Sequence, residues 1–183
     1  LKSENRVFVK RGLVNIQESD RAGINALIET AGIAGKKITS GNVSFTLVPR
    51  INAVGRLGFS GKSVSLLLTD DENEAMSIAK QLNEDNNERK EIEKNILMKI
   101  DEMVKANPHI TNDRVLVIDG EGWHQGVIGI VAAKVKEFFG KPTVIISRDG
   151  EEAKGSGRSV EGFPLCDAVF ACSDLLTHRG GHP

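Results

Sequence analysis

The sequence predicts an α/β fold, and three patterns in it carry that expectation. A Gly- and Pro-free amphipathic stretch fills residues 71–106, two short apolar runs lie at 114–119 and 143–147, and an apolar helical stretch separates the two runs. A chain of 183 residues is long enough to bury a core as one domain or as two small ones. With 39% hydrophobic and 27% charged residues the composition is that of an ordinary folded protein, which excludes a disordered chain.

Taken in order, residues 21–30 read as a short helix ending at Gly32, and residues 43–48 as a strand running into Pro49. The segment 49–57 then reads as a rigid turn, with proline at its start and Gly55 near its end. In the long stretch that follows, Ala75, Ile78, Ala79, Leu82, Ile92, Ile96, Ile100 and Met103 are spaced for one helix face, opposite a face of Asn, Glu, Lys and Asp. Asp70, Asp71 and Glu72 supply a cap and an acidic first turn suited to the helix dipole, and Asn107-Pro108 ends the helix. One helix of this length reaches on the order of 50 Å and connects two bodies; the alternative is two shorter helices broken at the polar run 83–87.

Beyond it, 114–119 is a buried strand, 126–139 a helix closed by Gly140, and 143–147 a second buried strand. Asp149-Gly150 turns the chain into a polar strand over 153–159, and 166–176 forms a last helix. The order strand, helix, strand, strand, helix describes a mixed sheet flanked by helices. Cys166 and Cys172, six residues apart, fit neither a disulfide scaffold nor a usual metal spacing and read as reduced, buried thiols.

No apolar run approaches the roughly 20 residues of a membrane span, and residues 1–6 carry no signal-peptide core, so the expected location is the cytoplasm. Lys plus Arg number 24 against 25 Asp plus Glu, so bulk charge announces no nucleic-acid partner and any such role rests on locally placed basic residues. The chain begins on Leu1 and stops at Gly180-Gly181-His182-Pro183, a polar glycine-rich stretch, and on that ground it is expected to be a fragment.

Four segments carry residues suited to chemistry. In Pro49-Arg50-Ile51-Asn52-Ala53-Val54-Gly55-Arg56-Leu57, two arginines and an asparagine can offer planar donor forks to phosphate oxygens; a solvated surface loop is the plainer reading. Nearby Gly61-Lys62-Ser63 resembles the end of a phosphate-binding P-loop, but position 56 holds arginine where that motif needs glycine and no buried strand precedes it, so an ATPase is rejected. In Asp119-Gly120-Glu121-Gly122-Trp123-His124-Gln125-Gly126, a strand hands over to a helix, where backbone N–H groups form an anion site. His124 can donate to a phosphate or stack with Trp123 on a base, or simply cap the helix. A dinucleotide-binding reading of these glycines stands second, weakened by a spacing one residue too long and by the bulk of Trp123 and His124.

In Lys154-Gly155-Ser156-Gly157-Arg158-Ser159, glycines permit close approach while serine and arginine supply short and long donors to an anion. The frame of a nucleophile elbow is absent there. The set Cys166, Cys172, His178 and His182 has unsuitable cysteine spacing for zinc, and His178-Arg179-Gly180-Gly181-His182 makes better sense as another anion loop.

In this order the segments resemble the later motifs of the DHH phosphoesterase family, in its branch of bacterial single-stranded-DNA-specific exonucleases. The resemblance covers nearly the whole chain. It implies that residues 1–70 close a DHH catalytic domain, that 71–106 is a connector helix, and that 107–183 is a DHH-associated nucleic-acid-binding domain whose last strands are cut short at Pro183. It further implies a cleft between two bodies that admits a single strand 5′ end first, with Arg50, Asn52 and Arg56 beside the metals. His124, Gly155, Ser156, Gly157, Arg158, Ser159, Gly181 and His182 would contact phosphates on the other side.

The family's manganese or magnesium centre is built by earlier motifs, including Asp-His-His. That triplet does not occur here, and His109, His124, His178 and His182 match none of those motifs, so the resemblance assigns this chain no metal ligand and no catalytic residue. The implied partners are single-stranded DNA and, through the parent enzyme, a single-strand-binding protein and a helicase. Relatives cleaving short oligonucleotides or cyclic dinucleotides are the nearer alternative; the long connector and the Trp123-His124 segment favour the single-strand exonucleases.

Overall fold

A computed structural model describes residues 2–58 and 61–181. The chain divides into two units, 1–90 and 91–183, and the boundary falls inside one long helix. Among the described residues no helix is long and apolar enough to cross a membrane.

The first unit is helical. Helix α1 (Glu4–Gln17) buries none of its residues, with Val7 and Phe8 exposed, and its weak apolar pattern explains why it is absent from the elements anticipated above. Helix α2 (Ala22–Thr30) buries Ala26 and Leu27 and ends on Gly32, which adopts φ 70°. Gly23 lets it approach its neighbour: a Cβ there would lie 1.8 Å from the Leu66 carbonyl oxygen.

Residues 39–57 overturn the expected strand and turn. Thr39 closes a capping box in which its hydroxyl accepts from the Asn42 N–H and the Asn42 side chain accepts from the Thr39 N–H. That box starts α3 (Ser40–Asn42), which continues through a widened π-helical turn (Val43–Leu47) into α4 (Val48–Leu57). The valines and phenylalanine of 43–48 alternate like a strand, yet only Leu47 among them is buried, and Phe45 is 85% exposed. Pro49 has no N–H for the Phe45 carbonyl, so the regular ladder breaks there, and the widened turn lies just ahead of it. After Gly58, in the left-handed region at φ 107°, α5 (Gly61–Leu68) buries Leu66 and ties back through Ser63, whose hydroxyl donates to the Ile51 carbonyl at 2.7 Å.

Helix α6 (Glu72–Ala106) is continuous for 35 residues and passes unbroken through the polar run 83–87. Asp71 caps it by accepting from the Glu74 N–H at 2.8 Å. Its buried positions run Ala75, Ala79, Leu82, Asn86, Arg89, Glu93, Ile96, Ile100, alternating steps of four and three. The stripe is therefore continuous, with three polar residues at its centre. Asn86 accepts from the Arg89 guanidinium at 3.1 Å, and Glu93 pairs with Lys134. Ala75, Ala79 and Leu82 join the first core with Leu27, Val54 and Leu66, while Ile96 and Ile100 join the second.

The second unit holds a sheet of order β1-β2-β3: β1 (Leu116–Glu121) parallel to β2 (Thr143–Asp149), and β2 antiparallel to β3 (Glu152–Arg158). Helix α7 (Gln125–Phe139) links the parallel pair, closes on Gly140 at φ 64°, and buries Val127, Ile128, Val131, Ala132 and Val135 against Leu116, Ile118 and Ile145. At the hairpin Gly150 adopts φ 58°.

Helix α8 (Leu165–Ala171) is shorter than the expected 166–176 and gives way to a 3₁₀ turn (Ser173–Leu175). There the Ser173 hydroxyl donates to the Phe170 carbonyl at 2.6 Å and competes with the helical ladder. The expectation of buried thiols fails as well, since Cys166 is half-buried and Cys172 exposed where the helix ends.

Candidate nucleic-acid interface

In the second unit, strand periodicity sorts the Lys154–Ser159 segment into two faces. Ser156 stands opposite Ile145 and Arg158 opposite Thr143, on the face that α7 covers, while Gly155 and Gly157 stand opposite Ile146 and Val144 on the other. The glycines admit neighbours from the protein itself: a Cβ on Gly157 would lie 2.9 Å from Leu165 of α8, and one on Gly155 would make ordinary contact with Val144 and Ile146. Arg158 is exposed, and its Nη1 donates to the Gly157 carbonyl at 2.6 Å and to the Ser156 hydroxyl at 3.4 Å. Ser159 donates to the Phe163 carbonyl at 2.6 Å and thereby fixes the turn that leaves the strand.

His124 occupies the N-cap of α7, where its Nδ1 accepts from the Gly126 N–H at 3.1 Å. An accepting Nδ1 places the ring proton on Nε2, so a neutral imidazole keeps a donor suited to a phosphate oxygen at a helix N-terminus. Trp123 cannot serve as a stacking platform. Its ring is buried against Gly120, where a Cβ would lie 2.2 Å from it, and the Ser147 hydroxyl donates to its carbonyl. Gly181 packs on Cys166, whose Sγ would lie 2.6 Å from a Cβ there; His182 is outside the described residues. Arg179, from the same expected anion loop, lies over the Phe170 ring at 5.5 Å.

In the first unit the expected donors of the 49–57 segment sit on a helix. Asn52, Gly55 and Arg56 share one exposed face of α4 at i, i+3 and i+4, beside a shallow open depression of about 370 Å³ that Ile51 and Ser63 also line. Arg50 is turned to another task. Its Nε donates to Asn83 of α6 at 3.0 Å and its Nη1 to the Thr46 carbonyl at 2.6 Å, and burial lowers its pKa from the usual arginine value. Of the five donors of a guanidinium, one thus ties α4 to α6 and one reaches back across the proline break to the widened turn.

A residue missed by the sequence reading is Gly129, one turn into α7, where Ser156 and Arg158 cross the helix. The available signal was a glycine inside a helix that gains nothing from its flexibility. Among the described residues no group of three His, Cys, Asp or Glu comes together to hold a metal ion: His109 lies in a 3₁₀ turn, His124 at a helix cap and His178 in the C-terminal loop.

Residues 112–183 match the family model described as the DHHA1 domain, so the mixed sheet with its covering helix is a domain of that class. The whole chain is 35% identical, over 185 residues, to the single-stranded-DNA-specific exonuclease RecJ of Bacillus subtilis strain 168. Crystal structures of RecJ from Thermus thermophilus match 97% of the chain: the Mn²⁺ complex with a TM-score of 0.83 at 35% identity, the Mg²⁺ complex with 0.81 at 33%. This chain is similar along nearly its whole length to one part of these RecJ exonucleases. It spans 23% of the length of the Bacillus relative and 26 to 27% of the Thermus chains.

Proposed function

We propose that this chain holds single-stranded DNA for an exonuclease that degrades it 5′ to 3′ in bacterial DNA repair and recombination. The observation that carries the reading is the Ser156–Arg158 pair, two donors of different reach set side by side on one face of the edge strand β3, with Arg158 exposed. His124 at the N-cap of the helix covering that strand adds a donor suited to phosphate, and Asn52 and Arg56 form a second exposed donor group in the first unit. The name of the Bacillus relative, a single-stranded-DNA-specific exonuclease, agrees with a phosphate-holding role. Single strands suit such scattered donors because their flexible backbone offers phosphates one at a time.

Hydrolysis belongs, on this reading, to a manganese or magnesium centre in the part of the longer relatives that this chain does not span; the Thermus structures carry those ions. Cytoplasmic location and association with a single-strand-binding protein and a helicase follow for the longer polypeptide. The test is the salt dependence of binding to a single-stranded oligonucleotide. Arg158→Ala is expected to lower the slope of log K against log salt by about 0.7 to 1 unit. An unchanged slope removes Arg158 from the phosphate contacts.

A further inference from the structure

We infer that Gly129 is a positioning residue for the phosphate contact, acting through Ser156 and Arg158. Gly129 lies inside α7 (Gln125–Phe139), between the buried positions Ile128 and Val131. It is not among the glycines with positive φ, so the backbone does not demand glycine there. Helix propensity argues against it, because glycine is the poorest residue of a helix interior after proline. What the position does demand is space. A Cβ at 129 would stand 3.0 Å from the Ser156 hydroxyl oxygen and 3.1 Å from Nη2 of Arg158, both inside ordinary contact distance.

The two neighbours crowding Gly129 are the two donors assigned above to phosphate, and both reach α7 from the same face of β3. The atom met on Arg158 is the far end of a flexible side chain, which can swing aside at little cost to the fold. A methyl group at 129 therefore makes the Ser156 hydroxyl and the Arg158 guanidinium give way slightly, and the helix stays in place. Gly129 gives up helix stability so that the donors can rest against a bare stretch of α7 with their geometry fixed.

This inference rests on the reading of Arg158 as a phosphate contact, and the test separates the two. Wild type, Gly129→Ala, Arg158→Ala and the double variant are compared in the full chain, by anisotropy titration of an oligo-dT single strand across a salt series and by thermal unfolding. Arg158→Ala is expected to lower the salt slope by about 0.7 to 1 unit. Gly129→Ala, which keeps the charge but shifts it, is expected to weaken binding at every salt concentration with little change of slope, to add nothing in the double variant, and to unfold at or above the wild-type temperature. Ala132→Gly, which weakens the same helix away from the donors, is expected to unfold earlier and to keep the wild-type affinity and slope.

If Arg158→Ala lowers the slope while Gly129→Ala binds like wild type, the role of Gly129 is overturned and that of Arg158 stands. If Arg158→Ala itself leaves the slope unchanged, the underlying reading fails. Additive losses in the double variant, or unfolding of Gly129→Ala below wild type, assign Gly129 to packing instead of positioning.

Discussion

At position 124 a histidine closes a helix where serine, threonine, aspartate or asparagine usually stands. The cap uses Nδ1, so the same ring can cap with one nitrogen and donate with the other. Asparagine can cap with its amide oxygen, but its amide N–H donors lie closer to the backbone than Nε2 and do not match that donor's reach. His124→Asn is accordingly expected to retain most of the thermal stability while weakening single-strand binding, and His124→Ala to weaken binding and also lose about 0.5 to 2 kcal/mol of cap stability. Equal binding by wild type and His124→Asn restricts the histidine to capping. The place of Ser156 and Arg158 on a polar strand was legible in the sequence because the Asp149-Gly150 turn and the polar residues after it are local signals. Arg50 and Trp123 were not, since a guanidinium that bonds Asn83 and an indole that buries itself on Gly120 depend on neighbours distant in the chain or brought close by folding.

Helices α4 and α6 show how far periodicity carries at the scale of an element. The buried stripe of α6 keeps its four-three alternation through Asn86, Arg89 and Glu93, positions that a reading based on apolarity alone skips. Its ends were nonetheless readable, because capping carboxylates and Asn107-Pro108 act locally. The stretch 43–57 misleads for the opposite reason: β-branched alternation imitates a strand, while the deciding signals are a capping box at Thr39 and a proline that a helix accommodates by widening one turn. Continuity of α6 can be tested at the exposed Asn87. Asn87→Pro is expected to cost about 3 kcal/mol or more and to lower helical circular dichroism, whereas Asn87→Ala leaves stability unchanged or slightly raised. A proline variant as stable as wild type would mean that two helices meet at the polar run.

For the molecule as a whole, the second unit was the more legible, since the strand-helix-strand order, the closing glycine at 140 and the hairpin at 150 each leave a local mark. The first unit buries its helices through close approaches such as Gly23 on Leu66, which no periodicity announces. On the proposed function, the chain grips a single strand and does not cut it. The most direct test incubates the contaminant-free chain with end-labelled single-stranded and duplex DNA in manganese, following retention and strand length together. The account predicts salt-sensitive retention of the single strand in preference to the duplex, with its length unchanged. Shortening of the strand that a chelator abolishes, or equal retention of the duplex, would contradict it.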